Sequence, residues 1–244
     1  MNTTFSKLLA ATVLCISISI CNAQEIELDP VTVTATLNPV SSSATGRNIT
    51  VIKGEQFNKL PVNSIDELLR YLPGIEVQMR GPMGAQSDLV VRGGTFQQVL
   101  VVLDGIRLND PNTGHFSSYI PIAPAEIERI EILKGAASAI YGSEAVGGVI
   151  HVITKSFAAK KDQKVKQLVV QGTAGEYDLT NGQVGGFYNN GKTSLAGGVL
   201  SNNSNGQPLR GIKGYFHNTT ASLSINHFIN NNWNFAYRSA YDSK

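Results

Sequence analysis

The stretch Ile127–Lys155, IERIEILKGAASAIYGSEAVGGVIHVITK, decides the fold of this chain. Two runs rich in β-branched residues, Ile127–Leu133 and Val149–Ile153, flank a middle segment made mostly of Gly, Ala and Ser. Runs of this kind predict strands. The small residues between them let the backbone turn tightly or lie close to another surface, and Tyr141-Gly142 predicts the end of a short helical turn. These patterns alone indicate a buried strand–turn–strand unit.

The composition narrows the class of protein. The 244 residues are 42% hydrophobic and 16% charged, with a net charge of +2. The charged fraction is below the roughly 25% usual for soluble domains, and Gly is above average usage. Because the charge is nearly balanced, no basic stripe indicates a nucleic-acid partner.

Residues 1–23 predict a signal peptide that directs export. Lys7 supplies a positive charge, Leu8–Ile20 is an uncharged apolar run, and Cys21-Asn22-Ala23 precedes a predicted cleavage site. The apolar run is shorter than the roughly 20 residues that a transmembrane helix needs. A lipoprotein site is the weaker alternative, because a bulky residue precedes the cysteine. Both cysteines leave with this segment, so the predicted mature chain has no disulfide and no cysteine-bound metal.

Residues 24–45 predict a flexible tail, because this Ser/Thr-rich segment holds too little apolar surface to fold alone. Inside it is a short alternating run with high β propensity: Val31, Thr32, Val33, Thr34 and Ala35. A short strand in a flexible tail is suited to pairing with the sheet edge of another protein. The alternatives are an ordinary first strand or a Thr-rich linker.

Residues 46–156 predict one small domain that mixes strands with a helix, and therefore an α+β fold. Strands are predicted at Arg47–Ile52, Ile75–Val77, Leu89–Arg92 and Val99–Leu103, with a hairpin turn at Asp104-Gly105. A helix is predicted at Ile65–Leu72, capped by Ser64 and Glu67. Its leucines are expected to face the core, and Pro73-Gly74 is expected to end it.

After residue 157 the helix signals end and long alternating strands begin. A Lys-rich linker is predicted at 160–166, followed by strands at Val165–Ala174, Thr180–Asn190, Lys192–Ser201, Gly214–Ile229 and Asn231–Tyr241, with a loop at 202–211. In the last strand one face carries Trp233, Phe235, Tyr237 and Tyr241, and the other carries Asn232, Asn234 and Arg238. Such alternation is typical of a transmembrane β-barrel wall. A soluble β-sandwich is the alternative, although its strands are usually shorter.

Four segments of the α+β region resemble, in order and spacing, the plug domain of TonB-dependent outer-membrane receptors. They are LLRYLPGIEV, LVVRGG, VLVVLDGIRLND and IERIEILKGAASAIYG. The resemblance implies an α+β plug domain with a small mixed sheet at 46–156, then the first strands of an antiparallel transmembrane β-barrel at 157–244. It also makes Val31–Ala35 similar to a TonB box, which in this family pairs with the energy-transducing protein TonB. VLVVLDGIRLNDPNTGHF is most similar to the vitamin B12 and siderophore branch.

A barrel that holds a plug has roughly 22 strands, and such a wall needs on the order of 400 residues. We therefore expect this chain to be the N-terminal part of a receptor, with an incomplete barrel. The resemblance implies transport of cobalamin or a ferric siderophore across the Gram-negative outer membrane, with plug and tail facing the periplasm. The alternative is a stand-alone periplasmic module that binds TonB or a ligand without transport.

The resemblance implies two groups of site residues. The charged plug residues expected to contact the barrel, in motifs whose charges in this family lock the plug to barrel carboxylates, are Arg92, Glu128, Arg129, Glu131 and Lys134; solvated strand faces are the alternative. Lys134 stands where the family often has Arg, which weakens bidentate pairing. Residues in the loops 80–86 and 109–118 that are expected to meet substrate are Arg80, Met83, Gln86, Asn109, Asn112 and His115.

No arrangement of residues predicts catalysis, a metal site or a cofactor. The four histidines lack metal-ligand spacing, and no Ser/His/Asp or paired-carboxylate arrangement stands out. Gly186–Thr193 matches the letters of a phosphate-binding loop, but the following SLAGGVL predicts a strand where that loop needs a helix. We interpret it as a hairpin turn. The expected partners are therefore TonB, a small-molecule substrate and outer-membrane lipid.

Overall fold

The computed structural model describes residues 32–33, 40–41, 48–60, 65–79, 87–110, 112–115, 122–206 and 214–243. The predicted signal peptide, the helix cap at Ser64 and the loop 80–86 lie outside these residues. Two short strands, β1 (Thr32–Val33) and β2 (Val40–Ser41), pair antiparallel. No helix among the described residues is long and apolar enough to cross a membrane.

The next part, residues 48–158, is called here the α+β domain. Its strands are β3 (Asn48–Lys53), β4 (Ile75–Met79), β5 (Ser87–Val91), β6 (Val99–Leu103), β7 (Ile106–Arg107), β8 (Ile127–Lys134) and β9 (Gly148–Thr154). Within the described residues, five of them form a sheet in the order β3-β8-β9-β6-β7. The sheet is mixed, because β6 runs parallel to β9 while the other pairs are antiparallel. β4 and β5 form a separate hairpin.

The core of the α+β domain lies around β6 and β9, in which every residue is buried. Continuous apolar runs of this kind are typical of strands covered on both faces. The helix Ile65–Leu69 packs Leu68 and Leu69 against them. It is shorter than the predicted helix, which extended to residue 72. It ends early because the N–H groups of residues 71 and 72 bond to carbonyls three residues back, in the tight turn before Pro73.

Two predicted turns are confirmed. Asp104 (φ 48°) and Gly105 (φ 89°) join β6 to β7 in a two-residue hairpin, whose left-handed backbone matches the twist of paired strands. The small-residue segment between β8 and β9 holds one helical turn, Ser138–Tyr141, which ends at Gly142. The β-branched runs on either side are β8 and β9, as predicted.

Residues 164–243 form what is called here the wall sheet. Its strands are β10 (Lys164–Ala174), β11 (Thr180–Asn190), β12 (Thr193–Ser204), β13 (Phe216–Phe228) and β14 (Asn234–Ser243). In the described part of the chain these strands pair antiparallel in sequence order. The phosphate-loop letters fall on the β11–β12 hairpin, as expected.

Two predicted boundaries need correction. The loop expected at 202–211 begins later, because residues 202–204 continue β12 and pair with β13 as far as Phe216. The linker expected at 160–166 is shorter, because β10 already begins at Lys164. Before that linker, Lys155–Ala158 form a helical turn that the sequence patterns did not indicate; the Thr154 hydroxyl caps it by accepting the N–H of Phe157.

The two faces of the wall sheet differ as the alternation predicted. One face is polar and buried against the α+β domain: Ser194, Asn202, Thr220, Ser224 and Asn226 are each at most 5% exposed. The other face is apolar and open: Trp233, Phe235, Tyr237 and Tyr241 are 49–70% exposed. Successive side chains of a strand point to opposite faces. A single strand can therefore present polar residues to the α+β domain and apolar residues to the outside.

Candidate functional site

The α+β domain contacts the wall sheet through polar side chains. Asp104, in the turn after β6, accepts hydrogen bonds from the Thr154 N–H at 2.8 Å and from its hydroxyl at 2.7 Å. The guanidinium of Arg238 on β14 also donates to Asp104, and to the Thr154 hydroxyl at 2.9 Å. The side chains of Asp104 and Arg238 are only 5% and 15% exposed. The turn of one domain is therefore tied to a strand of the other.

Burial and charge oppose each other at Asp104. Burial raises the pKa of its carboxyl group, while Arg238 and the hydrogen bonds from Thr154 lower it, and the net direction is upward. Among the described residues, Nη1 of Arg238 is buried and has no hydrogen-bond partner. A buried pair with incomplete hydrogen bonding adds little net stability, but losing one partner leaves an uncompensated charge.

A second contact is made by Glu126, in the 3-10 turn Pro124–Glu126 before β8. Its Oε1 accepts the N–H of Ala123 at 3.0 Å and the hydroxyl of Ser222 on β13. Its Oε2 is buried and has no hydrogen-bond partner in the part of the chain that the structure describes. Burial raises the pKa of Glu126, against the opposing effect of these hydrogen bonds. The carboxylate thus joins the two parts at a cost in desolvation.

The wall sheet lies close to the α+β domain at two glycines. Gly185 of β11 and Gly198 of β12 lie opposite each other in the sheet. A Cβ atom on Gly185 would be 2.6 Å from the Cβ of Ala125, and one on Gly198 would be 2.8 Å from the Cβ of Ala123. Only residues without a side chain allow this approach of backbone to methyl group.

The contact continues at Ser156, just after β9. Its carbonyl accepts hydrogen bonds from the Ser194 hydroxyl at 3.2 Å and the Asn226 amide at 3.3 Å, and its hydroxyl lies 2.6 Å from that of Ser224. Beside it, Lys155 donates to the carbonyl of Ala125 at 2.7 Å. Burial lowers the pKa of Lys155. Each neutral bond of this kind contributes about 1 kcal/mol, because water offers a comparable partner.

Four of the five charged residues predicted to face a barrel wall lie close to other residues of the α+β domain. Arg129 donates to Glu131 at 2.8 Å, and Lys134 donates to the carbonyl of Pro73 at 2.6 Å. Arg92 lies beside Gly135, and Glu128 is exposed. The predicted contact of these five residues with the barrel stays a prediction.

The sequence patterns missed Asp104, Glu126 and Arg238. The hairpin turn alone accounts for an Asp at position 104, so the sequence pattern offered no reason to expect a distant partner. Arg238 did offer a signal, because it is a charge on the inward face of a strand whose other face is aromatic.

The loop Asn109–His115 forms a second polar cluster, fixed by its own hydrogen bonds. The buried amide of Asn109 accepts the N–H of Val101 at 2.8 Å and donates to the carbonyl of Val99 at 2.9 Å, so it extends the hydrogen bonding of β6. Asp110 accepts the N–H groups of Asn112 and Thr113, and these bonds lower its pKa. Asn109 thus supports the edge of β6, and its predicted contact with substrate stays a prediction.

His115 stands at the end of this loop. Its Nδ1 lies 2.8 Å from Oδ1 of Asp88, and its ring stacks on that of Phe96 with centroids 4.2 Å apart. The side chain of Asp88 is 1% exposed and that of His115 is 26% exposed. Among the predicted substrate-facing residues, Asn112 and His115 lie together on this loop, while Arg80, Met83 and Gln86 are outside the described residues.

The predicted TonB box is described at two positions. Thr32 and Val33 form β1 and pair with Ser41 and Val40 of β2. Val31, Thr34 and Ala35 lie outside the residues that the structure describes.

Residues 41–149 match the family model of the TonB-dependent Receptor Plug Domain. The chain carries a TonB-dependent receptor plug domain. The vitamin B12 transporter BtuB of Vibrio vulnificus is 33% identical over 182 residues, which cover 74% of this chain and 29% of the transporter. BtuB of Photobacterium profundum is 29% identical over 236 residues, or 93% of this chain and 38% of that protein. The α+β domain is called the plug domain from here on.

Solved receptors share the fold of this plug domain and wall sheet. The ferric yersiniabactin uptake receptor FyuA from Yersinia pestis superposes with a TM-score of 0.64 at 17% identity, over 82% of this chain and 32% of the receptor. The wall sheet therefore corresponds to the start of the barrel in such receptors. The chain spans about a third of the length of its relatives. Their names describe transporters and receptors, not enzymes.

Proposed function

We propose that this chain provides the plug and first wall strands of a TonB-dependent active transporter in the Gram-negative outer membrane. Its substrate is a scarce chelated nutrient, cobalamin or a ferric siderophore. The observation that carries the proposal is the two-faced wall sheet, which is apolar on its open side and holds the plug domain through polar contacts on the other.

The open face is suited to lipid. Exposed apolar and aromatic side chains on alternate positions of β10–β14 match what a hydrocarbon environment requires of a barrel wall. A soluble sheet with this much exposed apolar surface would instead be prone to association.

The inward face is suited to a plug that moves. The contacts at Ser156, Glu126 and Asp104 are hydrogen bonds and one ion pair, and water molecules are able to replace each of them. Separating the plug domain from the wall sheet therefore exposes little apolar surface at these points. A pull transmitted through the tail, once TonB pairs with Val31–Ala35, would meet contacts of this separable kind.

Cobalamin is the first substrate to test. The 33% identity links the chain to a transporter named for vitamin B12. The siderophore receptors match at 17–22% identity. Identity this low supports a common fold but is no evidence for a common substrate.

The experiment is to replace the matching segment of the Vibrio vulnificus transporter with residues 24–244 and to measure uptake of labelled cobalamin in cells lacking their own receptors. We expect uptake that disappears in cells without TonB. The chain expressed alone should give no uptake, because a five-stranded sheet leaves two edges unpaired in hydrocarbon. A chimera that reaches the surface and binds cobalamin without importing it would favour the stand-alone binding module.

A further inference from the structure

The imidazole of His115 is held in one orientation with one ring nitrogen free. The buried carboxylate of Asp88 contacts Nδ1, which places the proton on Nδ1 and the lone pair on Nε2. Stacking on Phe96 at an interplanar angle of 6° fixes the plane of the ring. Nε2 makes no hydrogen bond within the part of the chain that the structure describes, and the side chain is partly exposed.

The loop beneath this ring is also ordered without a ligand. The N–H of Asp110 bonds to the carbonyl of His115 at 3.0 Å, and that of Gly114 bonds back to Asp110 at 2.8 Å. Gly114 has φ +70°, and a Cβ there would come within 3.1 Å of the Gln97 side chain. A ligand that binds Nε2 therefore need not order the loop first, which favours affinity.

A carboxylate on Nδ1 and a free Nε2 are the arrangement of a metal-binding histidine. A carboxylate in this position fixes the tautomer and the orientation of the ring, and imidazole suits first-row transition metals. Yet the described residues contain no group of three or more side chains able to hold a metal ion. A metal that binds here must therefore arrive with most of its ligands already in place and one position exchangeable.

This requirement separates the two proposed substrates. A hexadentate siderophore fills the whole coordination sphere of its iron and leaves no position for a protein ligand. In aquacobalamin the corrin ring holds the equatorial positions of cobalt, and an axial position carries a water molecule that exchanges. The arrangement at His115 therefore fits a corrinoid better than a ferric siderophore.

We propose that His115 binds the cobalt of a corrinoid substrate directly through Nε2. The bond between cobalt and water breaks, the Nε2 lone pair forms the new bond, and the water leaves. Cobalt keeps its oxidation state and no proton moves. This inference rests on the proposed transport of cobalamin and adds to it a protein ligand and a preference for forms with an exchangeable axial position.

The test uses the purified chain in detergent, titrated with aquacobalamin and separately with cyanocobalamin, whose axial cyanide does not exchange readily. We expect the corrin absorption to shift with aquacobalamin and not with cyanocobalamin, and aquacobalamin to bind about 10-fold more tightly. His115→Ala should lose both the shift and the preference. Asp88→Asn should keep the shift and lower aquacobalamin affinity by roughly 10-fold.

His227→Ala is the matched control. His227 is an exposed strand histidine whose Nδ1 lies 2.8 Å from the Thr193 hydroxyl. This substitution therefore removes a comparable imidazole at a position far along the chain from the loop. It should bind and shift like the unaltered chain. A shift that survives His115→Ala and disappears with His227→Ala would overturn the assignment.

The remaining outcomes separate this inference from the proposed function. If both cobalamins bind equally well with unchanged spectra, ligation by His115 is wrong while cobalamin transport stands. If neither the folded chain nor the chimeric transporter binds either cobalamin, the cobalamin assignment itself fails, and ligation fails with it. The comparison of the two cobalamins on the unaltered chain decides the matter even if a variant does not fold.

Discussion

Gly198 of the wall sheet and Ala123 of the plug domain approach so closely that a Cβ atom on Gly198 would lie 2.8 Å from the Cβ of Ala123. Gly185, which pairs with Gly198 in the sheet, lies similarly close to Ala125: a Cβ atom on Gly185 would be 2.6 Å from the Cβ of Ala125. The paired glycines therefore set how near the plug domain can come, and the contact of Glu126 with Ser222 lies beside them.

Gly198→Val should weaken the contact between the plug domain and the wall sheet and so lower the free energy of unfolding. The added side chain must displace the turn at Ala123, and overpacking of this kind costs about 1–3 kcal/mol. The free energy of unfolding can be followed in urea by the fluorescence of Trp233, the only tryptophan of the chain. Gly182→Val is the control, because nothing lies within 4 Å of a Cβ there. Equal losses in both variants would contradict the proposed close approach.

Asp104→Asn and Arg238→Met should each destabilise the chain by about 3–5 kcal/mol, because each leaves a polar partner buried and unmatched. Asn tolerates the left-handed backbone of position 104, so the turn itself is preserved. The double variant should lose much less than the sum of the two. Additive losses in denaturant unfolding would mean that the two residues are not coupled.

Glu126→Gln should reduce the dependence of stability on pH. Because burial raises the pKa of Glu126 above its usual 4.5 in the folded chain, folding favours the protonated form. Its contribution is fully present below the unfolded pKa and is lost as pH rises through the folded value. Unfolding midpoints between about pH 4 and 7 should vary less in the variant. An unchanged slope in Glu126→Gln would refute this assignment.

A polypeptide of residues 46–156 should be soluble and monomeric, because the plug domain buries its own core around β6 and β9. Residues 24–244 should aggregate or need detergent, since the wall sheet exposes an apolar face and unpaired edges. Gel filtration of both polypeptides checks this. Equal solubility would instead favour a soluble β-sandwich for residues 157–244.

Val33→Pro, placed in the chimeric transporter, should abolish energised uptake while cobalamin binding is unchanged. Proline removes the backbone N–H that strand pairing with TonB requires. Val40→Pro is the control, because Val40 lies opposite Val33 in the β1–β2 pair but outside the predicted TonB box. Normal uptake by the Val33→Pro variant would contradict the prediction that Val31–Ala35 is the TonB box.

The strands were predictable because their signals are local. β13 alternates polar and apolar residues from Thr220 to Asn226, and that pattern alone indicates a two-faced strand. The hairpin at Asp104-Gly105 was predictable for the same reason, since its residues suit the turn whatever surrounds it. The short helix ended earlier than predicted, because helix ends depend on turn geometry that periodicity does not record.

The sequence by itself determined the α+β domain, the alternating strands and their family resemblance, because these depend on neighbouring residues and on ordered motifs. Only the tertiary structure decided which polar groups meet. Arg238 lies 134 positions from Asp104, and His115 lies 27 positions from Asp88. The hydrogen bonds of Asn109 to β6 also needed the structure, while its predicted contact with substrate stays a prediction. Partners so far apart are chosen by packing, because each side chain alone is equally compatible with water.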